Sequence, residues 1–125
     1  MDSKGSILIV DDEIGPRESL RMILKPISDI HTAENGLEAI NFISQNKVDV
    51  VTLDLNMSGL SGLDVLKEIK KIQPDIEVII VTGFGTLPNA EEAIRNGARH
   101  FISKPFNVAD VIAIVSKAFE QRSST

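Results

Sequence analysis

A chain of 125 residues with a net charge of −5 and no cysteine excludes several classes of protein at once. The length and the 42% hydrophobic, 25% charged composition suit one globular domain with a single core. The acidic balance argues against general nucleic-acid binding, the missing cysteines exclude disulfides and thiolate metal sites, and no apolar run could cross a bilayer.

The N-terminal segment has no signal-peptide pattern. We therefore expect a cytoplasmic protein with a single domain over residues 1–125. Its ordered core is predicted over about 5–121, and residues 122–125 are expected to form a tail or the start of a linker.

Short β-branched segments alternate with amphipathic segments along the chain. The predicted strands are ILIV (7–10), DIHT (29–32), DVVTL (49–53), EVIIV (77–81) and HFIS (100–103). Three of the amphipathic segments have apolar residues at helical spacing, so that these residues fall on one face of a predicted helix. They are Leu20, Ile23, Leu24 and Ile27 in the first, Leu66, Ile69 and Ile72 in the second, and Val108, Val111, Ile112, Val115 and Phe119 in the third.

Proline and glycine indicate where these helices begin and end. Pro16 suits a helix start, Pro26 and Pro74 fall beyond helix ends, and Gly97 suits the residue after a helix. Strict alternation of strands and helices predicts an α/β fold with helices on both faces of a parallel sheet. Five such units fit a doubly wound, flavodoxin-like sheet of order 2-1-3-4-5.

Polar side chains follow four strands of this predicted sheet, namely strands 1, 3, 4 and 5. Asp11 and Asp12 follow the first strand, Asp54 the third, Thr82 the fourth and Lys104 the fifth. The carboxyl ends of parallel strands share one edge, and ligands bind there near the switch point between strands 1 and 3. These side chains should therefore lie close together.

Three carboxylates repel one another unless a cation lies between them. Hard oxygen ligands without cysteine favour Mg²⁺, with Mn²⁺ as the alternative. Lys104 would add positive charge and Thr82 a hydroxyl donor, a set suited to stabilising a transferring phosphoryl group. Asp54 is the best candidate nucleophile, since it alone ends the central strand.

The chain resembles the receiver domain of two-component response regulators. The motifs that carry the resemblance are ILIVDDE (7–13), VVTLDLNMSGLSG (50–62), IIVTG (79–83) and HFISKPF (100–106). Together they span nearly the whole chain, in order and at the family's spacing. Ser58 departs from the proline frequent in the family, and Phe101 lacks the hydroxyl of the tyrosine often found at its position.

The resemblance implies a role for each site residue. Asp54 would accept a phosphoryl group from a phosphohistidine, and Asp11, Asp12, Asp54 and the backbone carbonyl of Asn56 would hold Mg²⁺, with Asp12 the more direct ligand of the acidic pair. Lys104 would pair with the acceptor or its phosphate. Thr82 and the rotating aromatic Phe101 would form the switch.

These roles imply a signalling switch whose only chemistry is self-phosphorylation and autodephosphorylation, with the attacking water influenced by Asn56 and Phe84. The partners would be a sensor histidine kinase or phosphotransfer protein and a downstream output domain or target, without direct nucleic-acid or membrane binding. A phosphorylation-dependent homodimer and a link to transcription regulation are further options. His31 and His100 are interpreted as structural.

Two other functions remain open. A receiver-like module could bind its partner without phosphorylation. A Mg²⁺-dependent phosphatase with an aspartyl nucleophile is disfavoured, because such enzymes need a second acid where this chain has Asn56. A calcium loop starting at Asp54 fails, because Val65 stands where the loop needs glutamate.

Overall fold

The structure, a computed structural model, describes residues 5–83 and 87–123. Within them, strands and helices alternate as predicted: β1 Ser6–Val10, α1 Ile14–Leu24, β2 Asp29–Ala33, α2 Gly36–Gln45, β3 Val50–Leu53, α3 Gly62–Ile72, β4 Glu77–Thr82, α4 Leu87–Arg95, β5 His100–Ser103 and α5 Val108–Ser123. Each predicted strand is confirmed to within one residue at either end.

The five strands form one parallel sheet in the order β2-β1-β3-β4-β5, which confirms the predicted topology. Val10, the last residue of β1, is paired with Leu53, the last residue of β3. The two strands therefore end level, and the residues that follow them leave the sheet side by side.

Both faces of the sheet are covered, which explains why the inner strands are buried and mostly apolar. Alternate residues of β1 point to opposite sides: Leu8 and Val10 join the core under α2, α3 and α4, while Ile7 and Ile9 join the core under α1 and α5. Among the described residues, no helix is both long and apolar enough to cross a membrane.

The predicted helical faces need three corrections. Ile27, Ile72 and Val108 are 37%, 36% and 55% exposed, although they share helical spacing with buried residues. Ile27 lies beyond the end of α1, Ile72 is the last residue of α3, and Val108 is the first of α5. All three residues lie at or beyond a helix end, where apolar spacing does not guarantee burial.

Two predictions about helix ends have different outcomes. Gly97 has φ +108° after α4, and the amides of Gly97 and Ala98 bond to the carbonyls of Ile94 and Ala93, as expected of a glycine-terminated helix. The last helix, α5, continues to Ser123, and the expected end of the ordered core at about 121 stays a prediction. Arg122 Nε lies 3.3 Å from Asp49 Oδ1, which ties this last turn to the sheet.

Candidate functional site

Three aspartates meet at the carboxyl edge of the sheet, as predicted. Carboxylate oxygens of Asp11, Asp12 and Asp54 all lie within 4.8 Å of one another. Asp11 and Asp54 are buried, whereas Asp12 is exposed. The three form a pocket of hard oxygen donors with one side open to solvent.

The backbone fixes the two buried carboxylates. The Asp54 amide donates to the Val10 carbonyl at 3.1 Å, which extends the β1–β3 pairing by one residue. The Glu13 amide donates to Asp11 Oδ1 at 2.9 Å, and the Asn56 amide donates to Asp54 Oδ1 at 2.8 Å. Each carboxylate is thus oriented by the amide two residues after it, a local turn that aspartate favours.

Lys104 supplies the countercharge. Its Nζ lies 2.8 Å from Asp11 Oδ2 and 2.8 Å from Asp54 Oδ2, with Glu13 Oε1 further away at 3.7 Å. Burial lowers the pKa of Lys104, but the hydrogen bonds to Asp11 and Asp54 outweigh it, so the pKa is raised above the ordinary value. The ammonium is therefore charged at neutral pH and bridges the two strands. The following Lys104–Pro105 peptide is cis.

Asp12 is the accessible member of the acidic group. Ser58, on the loop after β3, donates its amide to Asp12 Oδ2 at 3.2 Å, and its hydroxyl lies 3.5 Å from the same oxygen. A proline at position 58 would have no amide hydrogen to donate. This contact therefore depends on the residue by which the chain departs from the common family pattern.

Thr82 and Asn56 contact each other beside the acceptor. Thr82 is 1% exposed, and its Oγ1 accepts a hydrogen bond of 2.9 Å from Asn56 Nδ2. The family resemblance implied a role for the Asn56 backbone carbonyl in the metal site, and Asn56 was also expected to influence the attacking water, but this side-chain contact with Thr82 was not predicted. It holds the Thr82 hydroxyl in one position in the unphosphorylated protein.

Phe101 is half-buried and packs against the core under α2, α3 and α4. It is paired in the sheet with Ile80, two residues before Thr82. The packing role expected of it is thus present, and its role in switching stays a prediction. Phe84 lies outside the described residues. His100 Nε2 lies 2.7 Å from Gln121 Oε1, and the His31 ring lies 4.8 Å from that of Phe42, which agrees with structural roles for both.

Sequence reasoning missed two residues that shape the site. Gly62 begins α3, and a Cβ there would lie 2.5 Å from Leu55 Cα and 3.0 Å from the Asp54 carbonyl. Arg17 is buried, and its Nη1 donates to the Asp11 carbonyl at 2.8 Å. The burial of Arg17 could have been predicted from the sequence, because Arg17 precedes Leu20 and Leu24 at helical spacing and so lies on the buried face of α1.

Comparison with known proteins identifies the family. The model of the response regulator receiver domain matches residues 7–116. Sporulation initiation phosphotransferase F of Bacillus subtilis (strain 168) is 34% identical over 94% of this chain and 96% of its own. Transcriptional regulatory protein GlrR of Escherichia coli (strain K12) is 34% identical over 92% of this chain but only 26% of its own.

A solved structure agrees with this result. The response regulator receiver domain protein (CheY-like) from Methanospirillum hungatei JF-1 superposes with a TM-score of 0.92 at 26% identity, over 96% of this chain and 97% of that chain. The motifs at the ends of β1, β3, β4 and β5 lie within the matched segment. The chain therefore belongs to the response regulator receiver domain family, the CheY-like signalling domains of two-component systems.

Proposed function

We propose that this chain is a phosphoacceptor domain in which Asp54 receives a phosphoryl group from a histidine kinase or phosphotransfer protein. The observation that carries the proposal is the position of the Asp54 carboxylate. It lies at the switch point of the sheet, 2.8 Å from a charged lysine and beside two further aspartates. Asp54 thereby combines a fixed nucleophile with nearby positive charge.

Asp11, Asp12, Asp54 and the Asn56 backbone carbonyl would hold the divalent cation that receiver domains bind at their acidic pocket. An all-oxygen donor set with one open side fits Mg²⁺, with Mn²⁺ as the alternative. The bound cation would offset negative charge on the transferring phosphoryl group. Asp12, the exposed aspartate, is the side chain that an incoming cation reaches first.

An Asp54 carboxylate oxygen would attack the phosphorus atom, and the bond from phosphorus to the donor histidine nitrogen would break, leaving that nitrogen with the electron pair. Lys104 balances the charge of the acyl phosphate, and Thr82 would turn its hydroxyl toward a phosphoryl oxygen. In the structure this hydroxyl accepts a hydrogen bond from Asn56 Nδ2, so its own hydrogen remains available for donation to that oxygen. Later attack of water on the phosphorus atom, influenced by Asn56 and Phe84, would break the bond to the Asp54 oxygen, release inorganic phosphate and return the carboxylate.

The added charge would act on the surface around residues 83–106 through Thr82 and Phe101. We propose that a downstream output domain or target protein recognises this surface. Receiver domains of response regulators pair with histidine kinases and output domains, and GlrR is an example of a longer relative. A phosphorylation-dependent homodimer would form through the same change in the surface around residues 83–106.

Intact-protein mass spectrometry after incubation with acetyl phosphate and Mg²⁺ tests the proposal. We expect a gain of one phosphoryl group that is lost with EDTA and in Asp54→Asn. Asp64→Asn is the matched control, because it removes an exposed carboxylate from the first turn of α3. It should phosphorylate like the wild type.

The other outcomes separate the alternatives. If the folded protein gains no mass from acetyl phosphate or from a panel of histidine kinases, a phosphorylation-independent interaction module replaces the proposal. Steady release of phosphate from several phosphate esters would instead support a phosphatase.

A further inference from the structure

Arg17 is an arginine on the buried face of a helix. It is 9% exposed and shares this face of α1 with Leu20 and Leu24. Arginine is rarely so buried unless its guanidinium is paired or hydrogen-bonded. None of the steps proposed for phosphoryl transfer uses it.

The close contact of Arg17 is with the backbone of the acidic pocket. Its Nη1 donates to the Asp11 carbonyl oxygen at 2.8 Å. Its Nη2 lies 3.9 Å from Glu34 Oε2, and the Glu34 side chain is 68% exposed. A long ion pair with an exposed carboxylate contributes little, so the contact with Asp11 is the one that matters.

With this bond, every polar group of Asp11 has a partner. Its amide donates to the Ala33 carbonyl at 3.2 Å, its Oδ1 accepts from the Glu13 amide and its Oδ2 from Lys104. The carbonyl that Arg17 holds belongs to the peptide joining Asp11 to Asp12. Fixing that peptide plane fixes the N–Cα bond of Asp12, so that only rotation about this bond is left to set the direction in which its side chain leaves the backbone.

We propose that Arg17 is a positioning residue for the divalent-cation site, holding the Asp11–Asp12 peptide so that the Asp12 carboxylate faces Asp11 and Asp54. This inference rests on the proposed function. Without the guanidinium, the buried Asp11 carbonyl loses its hydrogen-bond donor. Because an unsatisfied buried acceptor is unfavourable, the Asp11–Asp12 peptide would rotate to bring this carbonyl to water. Groups that orient metal ligands commonly change metal affinity when they are removed.

The sign of the effect distinguishes positioning from simple electrostatics. Arg17 is a cation near three carboxylates, so its removal should strengthen Mg²⁺ binding if charge alone mattered. Positioning predicts weaker binding. Arg17→Met keeps much of the apolar stem but removes both charge and donors, so the two effects oppose each other in one variant.

Mg²⁺ affinity of the metal-free protein, measured by calorimetry and by NMR titration of backbone amides, tests the inference; the chain has no Trp or Tyr to report by fluorescence. We expect Arg17→Met to bind Mg²⁺ about tenfold more weakly than the wild type. Arg17→Lys keeps the charge and one donor group and should recover most of that loss. The Glu13 amide, which bonds to Asp11 Oδ1, should shift in metal-free Arg17→Met.

Two controls separate positioning from loss of stability. Glu34→Gln removes the distant partner of Arg17 and should bind Mg²⁺ like the wild type. Leu24→Val destabilises the same helix through its buried face and should also leave the affinity of the folded protein unchanged. If Arg17→Met does not fold, Arg17→Gln, which is shorter and uncharged, replaces it with the same expected direction.

Equal or tighter Mg²⁺ binding by a folded, neutral Arg17 variant would overturn the inference and leave the proposed function intact. The same holds if Arg17→Lys binds as weakly as Arg17→Met. A wild-type protein that binds no Mg²⁺ would overturn both the inference and the metal requirement of the proposed function.

Discussion

Replacing Lys104 by methionine should destabilise the metal-free protein strongly, and Mg²⁺ should restore much of the loss. Lys104 Nζ lies 2.8 Å from carboxylates of Asp11 and Asp54, whose side chains are only 3% and 5% exposed. Methionine keeps the apolar stem but leaves both carboxylates without their countercharge. Removing one partner of a buried ion pair costs about 3–5 kcal/mol.

We expect a value near the lower limit, about 3 kcal/mol, because the pocket has an exposed side at Asp12 through which water can enter. A cation in the pocket would supply the missing charge. Binding to the native state alone stabilises by about 2.7 kcal/mol when Mg²⁺ is at a hundred times its dissociation constant. The variant should gain more than the wild type, since Lys104 no longer repels the cation.

Urea unfolding followed by far-UV circular dichroism, in EDTA and in excess Mg²⁺, measures both quantities. The difference in unfolding free energy between wild type and Lys104→Met should fall by at least about 1 kcal/mol on adding Mg²⁺. Lys70→Met is the matched control: Lys70 Nζ donates to the carbonyls of Pro74 and Ile76, outside the acidic pocket. A Lys104→Met deficit that is the same in both buffers would refute the reasoning.

Three further outcomes follow from the same geometry. Gly62→Ala should lower the unfolding free energy by about 1–3 kcal/mol, because the new Cβ would lie 2.5 Å from the backbone of Leu55. The stability contributed by the raised pKa of Lys104 is fully present below the ordinary value of 10.5 and should be lost as pH rises through the raised value, in alkaline unfolding curves recorded in EDTA. Thr82→Val should still phosphorylate, but the phosphorylation-induced NMR shift at Phe101 should be much reduced, because valine has no hydroxyl to meet the phosphoryl group and no acceptor for Asn56.

Each has a control or an opposing result. Gly15→Ala, on the exposed side of α1 with nothing within 4 Å of the added Cβ, should be neutral or stabilising. Lys104→Met should lack the part of the alkaline loss that belongs to Lys104. A full-sized shift at Phe101 in phosphorylated Thr82→Val would show that the hydroxyl does not couple the two positions.

The convergence of the acidic pocket could be predicted from sequence because it depends mainly on topology. Once strands 1, 3, 4 and 5 are parallel neighbours, the residues after them share one edge, whatever the detailed packing. Level pairing of Val10 with Leu53 then brings Asp11 beside Asp54. Strand order and five chain positions were enough to predict that part of the site.

The hydrogen bonds that hold the site residues in place could not be predicted in this way. The bonds from Arg17 to the Asp11 carbonyl, from Ser58 to Asp12 and from Asn56 to Thr82 depend on how individual turns orient a peptide or an amide. Spacing carries no information about such orientations. Apolar spacing likewise failed for Val108, because the first residue of a helix need not face the sheet.

Identifying the phosphorylated residue tests the central claim most directly. Borohydride reduces an aspartyl phosphate to homoserine, so treating protein phosphorylated in the presence of Mg²⁺ and sequencing its peptides by mass spectrometry marks the acceptor. The account predicts homoserine at position 54, and none when EDTA is present. Homoserine at another acidic position, such as Asp12, with Asp54 unmodified would contradict it.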